Sequence, residues 1–277
     1  MCAMSNEHLL TDSTRSACDN ATLRTRDILG IPVSVATPEE ALRFLIDRLQ
    51  KNVPTCVSFL NANNSNLAAN HPALAKAFRS FVVFNDGIGV DIASYVLHGK
   101  SFPYNLNGTD FVPWFLQNTS HALRVFILGG NPGIPQRVHA EFQRIAPQHK
   151  YVGSQHGYFQ EHELPGIISS IINAKTDLLI VGFGTPSQEL WLANQFSATR
   201  CRLAFCVGGL LDFVSGAKPR APLWLRRIRQ EWIYRLFLEP GRMWRRYLFG
   251  NVRFLIRLAH AAIKKNKEQP VDGAHLL

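Results

Sequence analysis

Between residues 28 and 215, short apolar runs alternate with amphipathic ones, and that alternation leaves this chain few folds. The apolar runs 55–60, 81–84, 124–128, 150–153, 177–181 and 203–207 are four to six residues long, which is strand length. Helical patterns lie between them at about 38–50, 65–78, 88–98, 109–118, 134–145, 162–173 and 187–197. Thr37-Pro38-Glu39-Glu40 opens the first of these with a capping box and a proline at the first helical position. The Asn-rich stretch Asn61–Asn66 reads as a loop. Strands separated by helices imply a parallel sheet covered on both faces, an α/β fold. There is no internal repeat.

Four of the runs end in glycine. Phe84 leads into Asn85-Asp86-Gly87, Leu128 into Gly129-Gly130, Val181 into Gly182-Phe183-Gly184, and Val207 into Gly208-Gly209. Glycine lets the backbone turn sharply and come close to a ligand. The helices that follow point their N-terminal N–H groups the same way, which favours phosphate. In an open parallel sheet the ligand crevice lies beyond the strand carboxyl ends. A diphosphate-bearing ligand suits such a rim.

Few residues there could do chemistry. Asp86, at a strand end, could take a proton from a hydroxyl, or could cap the next helix. Gln188 and Glu189 follow Thr185-Pro186 at a helix start, where they could face a ligand or serve only the cap and the helix dipole. Asn61 and Asn63 offer hydrogen bonds to sugar hydroxyls. No HExxH, paired-cysteine zinc spacing or GxSxG occurs. No metal and no cofactor is expected.

The last fifth of the chain is different. From Lys218 to Lys267 ten arginines and four lysines stand against two acids, Glu231 and Glu239, a net of +12 in a chain whose total is +10. Trp224, Trp232, Phe237, Trp244, Leu248 and Phe249 are interleaved with them. Arg242, Arg246, Arg253, Arg257 and Lys264 fall on one helical face, and Trp244, Leu248, Val252, Leu255, Ala259 and Ala262 on another. That is the pattern of a basic amphipathic helix on an anionic membrane surface. A helix packed on the α/β body with a solvated basic face is the plainer alternative. No DNA- or RNA-binding motif is present, so nucleic acid is not an expected partner.

The five cysteines have no metal-ligand spacing and suit a reduced cytosolic protein. No run of about 20 residues is both uncharged and predominantly apolar, the uncharged run 52–75 being rich in asparagine, so no membrane-spanning helix is expected. Residues 1–27 are polar, without the apolar core of a secretory signal, and are expected to be disordered. The expected organisation is that terminus, an α/β domain over 28–217, a basic appendage over 218–267 and a disordered tail over 268–277.

Seven blocks occur in a set order: Asn85-Asp86-Gly87-Ile88-Gly89-Val90; Gly108-Thr109-Asp110; Val125 to Gly130; His156-Gly157-Tyr158-Phe159; Gly184 to Trp191 (GTPSQELW); Arg220-Ala221-Pro222; and Glu231 to Leu236 with Glu239-Pro240-Gly241-Arg242. Together they resemble the WecG/TagA/CpsF family of bacterial glycosyltransferases (glycosyltransferase family 26) over about residues 28–250. The resemblance implies a Rossmann-like domain whose C-terminal appendage meets the membrane and completes the active site. It implies inverting, metal-independent transfer of a sugar from a UDP-sugar to a polyprenyl-diphosphate-linked saccharide at the cytoplasmic face of the membrane. Carried over by position, Asp86 is the implied base and Gln188 lines the site. Arg235, Arg242 and Arg245 are the implied diphosphate-binding arginines, a task that suits the planar guanidinium fork. The substrate-binding set expected is Asn61, Asn63, Asn107, Asp110, Gly129, Gly130, Gly184, Gln188, Glu189, Gly208 and Gly209 with those three arginines.

Two positions depart from the family. Phe59 stands where many members have threonine, and Asn105 where many have arginine. Both argue against assuming N-acetylmannosamine as the donor sugar. An exopolysaccharide-type member using glucose or another hexose is as plausible. The alternative is a non-catalytic nucleotide-sugar-binding component of a membrane polysaccharide assembly complex. A dinucleotide-dependent oxidoreductase is weaker, because the first βα turn lacks GxGxxG and its trailing acid. The sequence leaves a homo-oligomer open.

Overall fold

The computed structural model describes residues 22–222, 224–225, 231–238, 240–244 and 248–268. Residues 25–27, expected to be part of a disordered terminus, belong to a strand, and residues 1–21 lie outside the described residues. Thr25–Ile28 (β1) and Ile31–Ser34 (β2) form an antiparallel hairpin, with Leu29 and Gly30 at positive φ in a two-residue turn. The hairpin buries Ile28, Ile31 and Val33.

The central sheet has six parallel strands in the order β4-β3-β8-β7-β5-β6. They are Thr55–Leu60 (β3), Val82–Asn85 (β4), Arg124–Gly129 (β5), Lys150–Gln155 (β6), Leu178–Gly182 (β7) and Leu203–Cys206 (β8). Helices connect them: Pro38–Gln50 (α1), Ala62–Asn70 (α2), Pro72–Ser80 (α3), Ile88–His98 (α4), Gly108–Asn118 (α5), Ile134–Ile145 (α6), Leu164–Asn173 (α7) and Ser187–Thr199 (α8). The Rossmann-like parallel sheet expected from the alternation is therefore present. β3 and β8 are buried at every position, as strands covered on both faces must be. The chain leaves β4 at one edge for β5 near the other, and β7 and β8 later fill the gap. That reversal opens a crevice at the carboxyl ends.

Two expectations are corrected. The Asn-rich stretch is not a loop: Asn61 caps α2, and Asn64, Ser65 and Asn66 are buried inside it. The expected helix 65–78 is two helices, broken at His71, because Pro72 cannot continue α2 but suits the first turn of α3.

Leu210–Val214 (α9) follows β8, and the appendage holds Glu231–Leu238 (α10), Pro240–Trp244 (α11) and Gly250–Glu268 (α12). Of the two faces expected of α12, the apolar one at Val252 and Leu255 points outward, whereas the basic one at Arg253 and Arg257 is turned onto the protein. The helix buries Phe254 and Leu258 among residues of α2, α3 and α4. Arg257 donates to Ser65 O at 2.9 Å and to Asn66 Oδ1 at 3.0 Å, and Arg253 donates to Asn70 Oδ1 at 2.8 Å. Those two arginines grip α2, while Val252, Leu255, Ile256 and Ile263 face outward. None of the described helices is long and apolar enough to cross a membrane.

Candidate active site

β3 and β4 pair with Leu60 opposite Asn85, so Asn61 and Asp86 leave the sheet side by side. The Asp86 N–H donates to Leu60 O at 2.8 Å. Asn61 Oδ1 accepts the Asn64 N–H at 3.0 Å, and Asn61 Nδ2 donates to Asp86 Oδ2 at 3.0 Å. Both ends of that amide are committed, which fixes its orientation and gives the carboxylate a donor. The next residue, Gly87, has φ 85°, and its N–H donates to Asn105 Oδ1 at 2.8 Å. Asn85 Nδ2 donates to Tyr104 O at 2.8 Å. Asn105 thus braces the turn that carries Asp86. Phe59, the other departure, is a buried ring 6.3 Å from Phe84, and only a glycine fits beside it at Gly108.

Around this turn lies a cavity of about 1300 Å³ at the strand carboxyl ends. Asn61, Asn63 and Asp86 line it on one side, Asn107 and Asp110 at the start of α5. Gly130, Gly184, Gln188, Gly208 and Gly209 line it from the β5, β7 and β8 ends. Gly129 does not reach the wall. It has φ 140°, and a Cβ there would meet Gly182 O at 2.5 Å, so its glycine serves the close approach of two strands. Phe183, packed edge-on against Phe159 and Trp191 at 5.8 Å each, gives the cavity an aromatic side.

Gln188 and Glu189 have separate tasks. Gln188 Oε1 accepts the N–H of Gly184 at 3.2 Å and of Gly208 at 2.9 Å, tying the turns after β7 and β8 together. Its Nε2 donates to Glu189 Oε1 at 2.9 Å. Glu189 is fully buried and off the cavity wall. The same Oε1 also accepts from Ser58 Oγ at 2.9 Å and Thr185 Oγ1 at 3.1 Å, while Oε2 is buried without a hydrogen bond. Burial pushes the Glu189 carboxyl up from its ordinary range, and the bonds from Gln188, Ser58 and Thr185 pull it back. One sign of this network is legible in the sequence: Ser58 places a hydroxyl in the interior of a mainly apolar strand. Burial likewise raises the thiol of Cys206, which suits a packing cysteine rather than a nucleophile.

The α5 rim is self-satisfied. Asn107 Oδ1 accepts the Asp110 N–H at 2.9 Å and Asn107 Nδ2 donates to Asp110 Oδ2 at 2.9 Å. Arg220 Nη2 donates to Asp110 Oδ1 at 2.7 Å and lies 4.0 Å from Glu231 Oε2 on α10. Lys218 pairs with Asp212 at 3.2 Å. These contacts hold the start of the appendage against the body, and sequence reasoning named neither Lys218 nor Arg220 as a site residue. Glu231, Trp232 and Leu238 from α10, with Asn251, Phe254 and Leu255 from α12, complete the wall. Arg235 and Arg242 lie on α10 and α11 with side chains outside the described residues, and Arg245 lies outside them altogether.

The described charged lining is Asp86, Asp110, Asp212 and Glu231 against Lys218. Among the described residues no three His, Cys, Asp or Glu side chains group as metal ligands. The site offers a carboxylate held on a strand end, uncapped N-termini of α4, α6 and α8 along the rim, and an apolar flank from the appendage.

The model of the Glycosyl transferase WecG/TagA/CpsF family matches residues 26–268. Two Staphylococcus aureus proteins are similar to the chain, each named N-acetylglucosaminyldiphosphoundecaprenol N-acetyl-beta-D-mannosaminyltransferase. The one from strain MRSA252 is 28% identical over 249 residues, 87% of this chain and 95% of the relative. The one from strain NCTC 8325 / PS 47 is 29% identical over 252 residues, with the same coverage.

Proposed function

This chain belongs to the WecG/TagA/CpsF family of glycosyl transferases, and on that premise we propose that it moves a hexose or N-acetylhexosamine from a UDP-sugar to a polyprenyl-diphosphate-linked saccharide. The transfer inverts the anomeric centre, needs no metal ion, and serves exopolysaccharide or other cell-surface polysaccharide synthesis at the inner face of the cytoplasmic membrane.

The observation that carries the proposal is Asp86, held by Asn61 on the wall of a cavity large enough for two sugars and a diphosphate. Asp86 takes the proton of an acceptor hydroxyl, the hydroxyl oxygen attacks the anomeric carbon, and UDP leaves from the opposite side. The names of the relatives support a polyprenyl-diphosphate acceptor. The aromatic side at Phe183 suits a nucleobase. The described lining carries four carboxylates and one ammonium group, so a diphosphate needs further cations. The arginine-rich stretch 220–246 is the nearest supply in sequence, which supports roles for Arg235, Arg242 and Arg245.

The test is a panel of UDP-sugars with a short-chain polyprenyl-diphosphate N-acetylglucosamine, comparing wild type with Asp86→Asn. The expected result is release of UDP and a loss of roughly 10²- to 10⁴-fold in the variant. Full activity of Asp86→Asn removes it as the base. Binding of a UDP-sugar without UDP release, for every donor and acceptor tried, replaces this function with the non-catalytic one.

A further inference from the structure

α4 belongs to the α/β body, yet its outer side is oily. Ile92, Tyr95 and Val96 are all exposed, Tyr95 by 64%. They are spaced three and four apart, one row on one helix face. α12 lies along α4 in the same direction. Phe254 packs near Gly89 at the start of α4, and Lys265 Nζ donates to Leu97 O at its end. α12 carries its own outward row, in which Leu255, Ile256 and Ile263 are each about half exposed. Both rows begin at the cavity, since Ile92 and Leu255 also line it.

The charge of this face is one-sided. Over α4 and α12 the acids are Asp91, which is buried, and Glu268, the last residue of α12. Against them stand Arg253, Arg257, Lys264, Lys265 and Lys267, of which Lys264 and Lys267 are exposed at the far end of the row. Soluble surfaces rarely leave so many large apolar side chains together without a partner. Apolar rows with no acid within them and lysines at their far end fit an anionic lipid surface better than another protein face.

We propose that α4 supplies, from within the α/β body, part of a lipid-docking surface that it shares with α12, so that the cavity opens at the level of the bilayer. Membrane contact then does not depend on the appendage alone. This rests on the proposed function only in taking the acceptor to be membrane-borne. Ile92 and Leu255 pass a lipid-linked substrate from the bilayer to the cavity, while Tyr95, Val96 and Ile263 hold the protein down.

The experiment is co-sedimentation of the full chain with vesicles of phosphatidylcholine containing phosphatidylglycerol, and with phosphatidylcholine alone. Wild type binds the anionic vesicles. Tyr95→Glu/Val96→Glu and, separately, Ile263→Glu each lower the partition coefficient about tenfold or more, because carboxylates enter an apolar, anionic interface. Gln143→Glu, exposed on α6, leaves it unchanged. Tyr95→Trp adds a readout that does not depend on tolerance of the acidic pair: its emission shifts to the blue with vesicles. Transfer to a water-soluble acceptor stays at the wild-type rate in Tyr95→Glu/Val96→Glu. Wild type that ignores vesicles overturns the proposal. So does loss of binding in Ile263→Glu but not in the α4 variant, which leaves the contact to the appendage alone. A wild-type dimer that Tyr95→Glu/Val96→Glu dissociates, with vesicle binding unchanged, assigns the face to a second copy and also overturns it. Vesicle binding needs no turnover, so a chain that docks through α4 but transfers no sugar refutes the proposed function and not this inference.

Discussion

Asn61 donates its side-chain amide to Asp86 Oδ2 at 3.0 Å while its carbonyl caps α2, so one residue sets both the start of a helix and the pose of the carboxylate. The arrangement needs β3 and β4 to end in register, which they do.

The two tasks of Asn61 can be separated. Serine is about as good an N-cap as asparagine but is too short to reach Asp86. Asn61→Ser is therefore expected to keep the melting temperature within a few degrees and to lower kcat about tenfold, the worth of one hydrogen bond to a charged group. Asn61→Ala is expected to lose the cap as well, at about 1 kcal/mol. Thermal melts and steady-state kinetics on the pair check this. Equal kcat in wild type and Asn61→Ser means that Asp86 is posed by something else.

Gln188, on the cavity wall, joins two loops through its side-chain carbonyl. Gln188→Leu leaves the N–H groups of Gly184 and Gly208 without their acceptor. These donors are partly buried, so the cost is expected at about 2 kcal/mol, toward the low end for two orphaned groups. Because both turns line the cavity, KM for the UDP-sugar rises with the loss of stability. Urea unfolding and donor titration check the two together. Unchanged stability with a raised KM instead makes Gln188 a direct ligand.

Phe254 and Leu255 are neighbours with opposite tasks. The Phe254 ring is buried beside Gly89, and Leu255 points outward. Phe254→Ala is expected to cost about 3–5 kcal/mol and to loosen α12 from α2 and α4. Leu255→Ala stays within about 0.5 kcal/mol, as for an exposed site. Denaturant curves for the two variants decide it. Equal effects contradict the docking of α12 through Phe254.

The six parallel strands and Asp86 were legible because apolar runs and glycine turns are local signals, whereas the β1–β2 hairpin was not. The sequence placed Asp86 at the end of its strand, and the structure has it one residue past β4. Asn61–Asn66 was not legible as helix, because asparagine is a poor helix former whose side chain serves a cap. What overrides that preference is distant: Asn66 Nδ2 donates to Gly250 O, 184 residues away, and Arg257 bonds back to the same turn. The same contact explains why the basic face of α12 was misread. Helical spacing tells which residues share a face, but not whether that face meets solvent, lipid or protein. Glu189 was misjudged for a related reason. At a helix start its charge favours the dipole, and only the packing of α8 on β3 shows that the carboxyl is dry.

Glu189 makes stability depend on pH in a direction that can be isolated. Burial raises its folded-state pKa above the ordinary value of 4.5. Above that pH the unfolded chain releases the proton and the folded chain keeps it, so folding loses about 1.4 kcal/mol per pH unit until the raised pKa is passed. Glutamine is close in shape to the protonated acid, cannot titrate, and keeps the acceptor for Ser58, Thr185 and Gln188. The stability of Glu189→Gln relative to wild type should therefore rise as the pH climbs above 4.5 and level off once the raised pKa is passed. His149 runs the other way: burial lowers its pKa below 6.5, partly offset by its bond to Leu116 O, so its share is lost as pH falls below 6.5. That loss is common to both proteins and cancels in their difference. Urea midpoints at four or five pH values above 4.5 give the difference directly, and curves that stay parallel throughout mean that Glu189 is ionised in the fold, with its Oε2 charge compensated by a group other than those described.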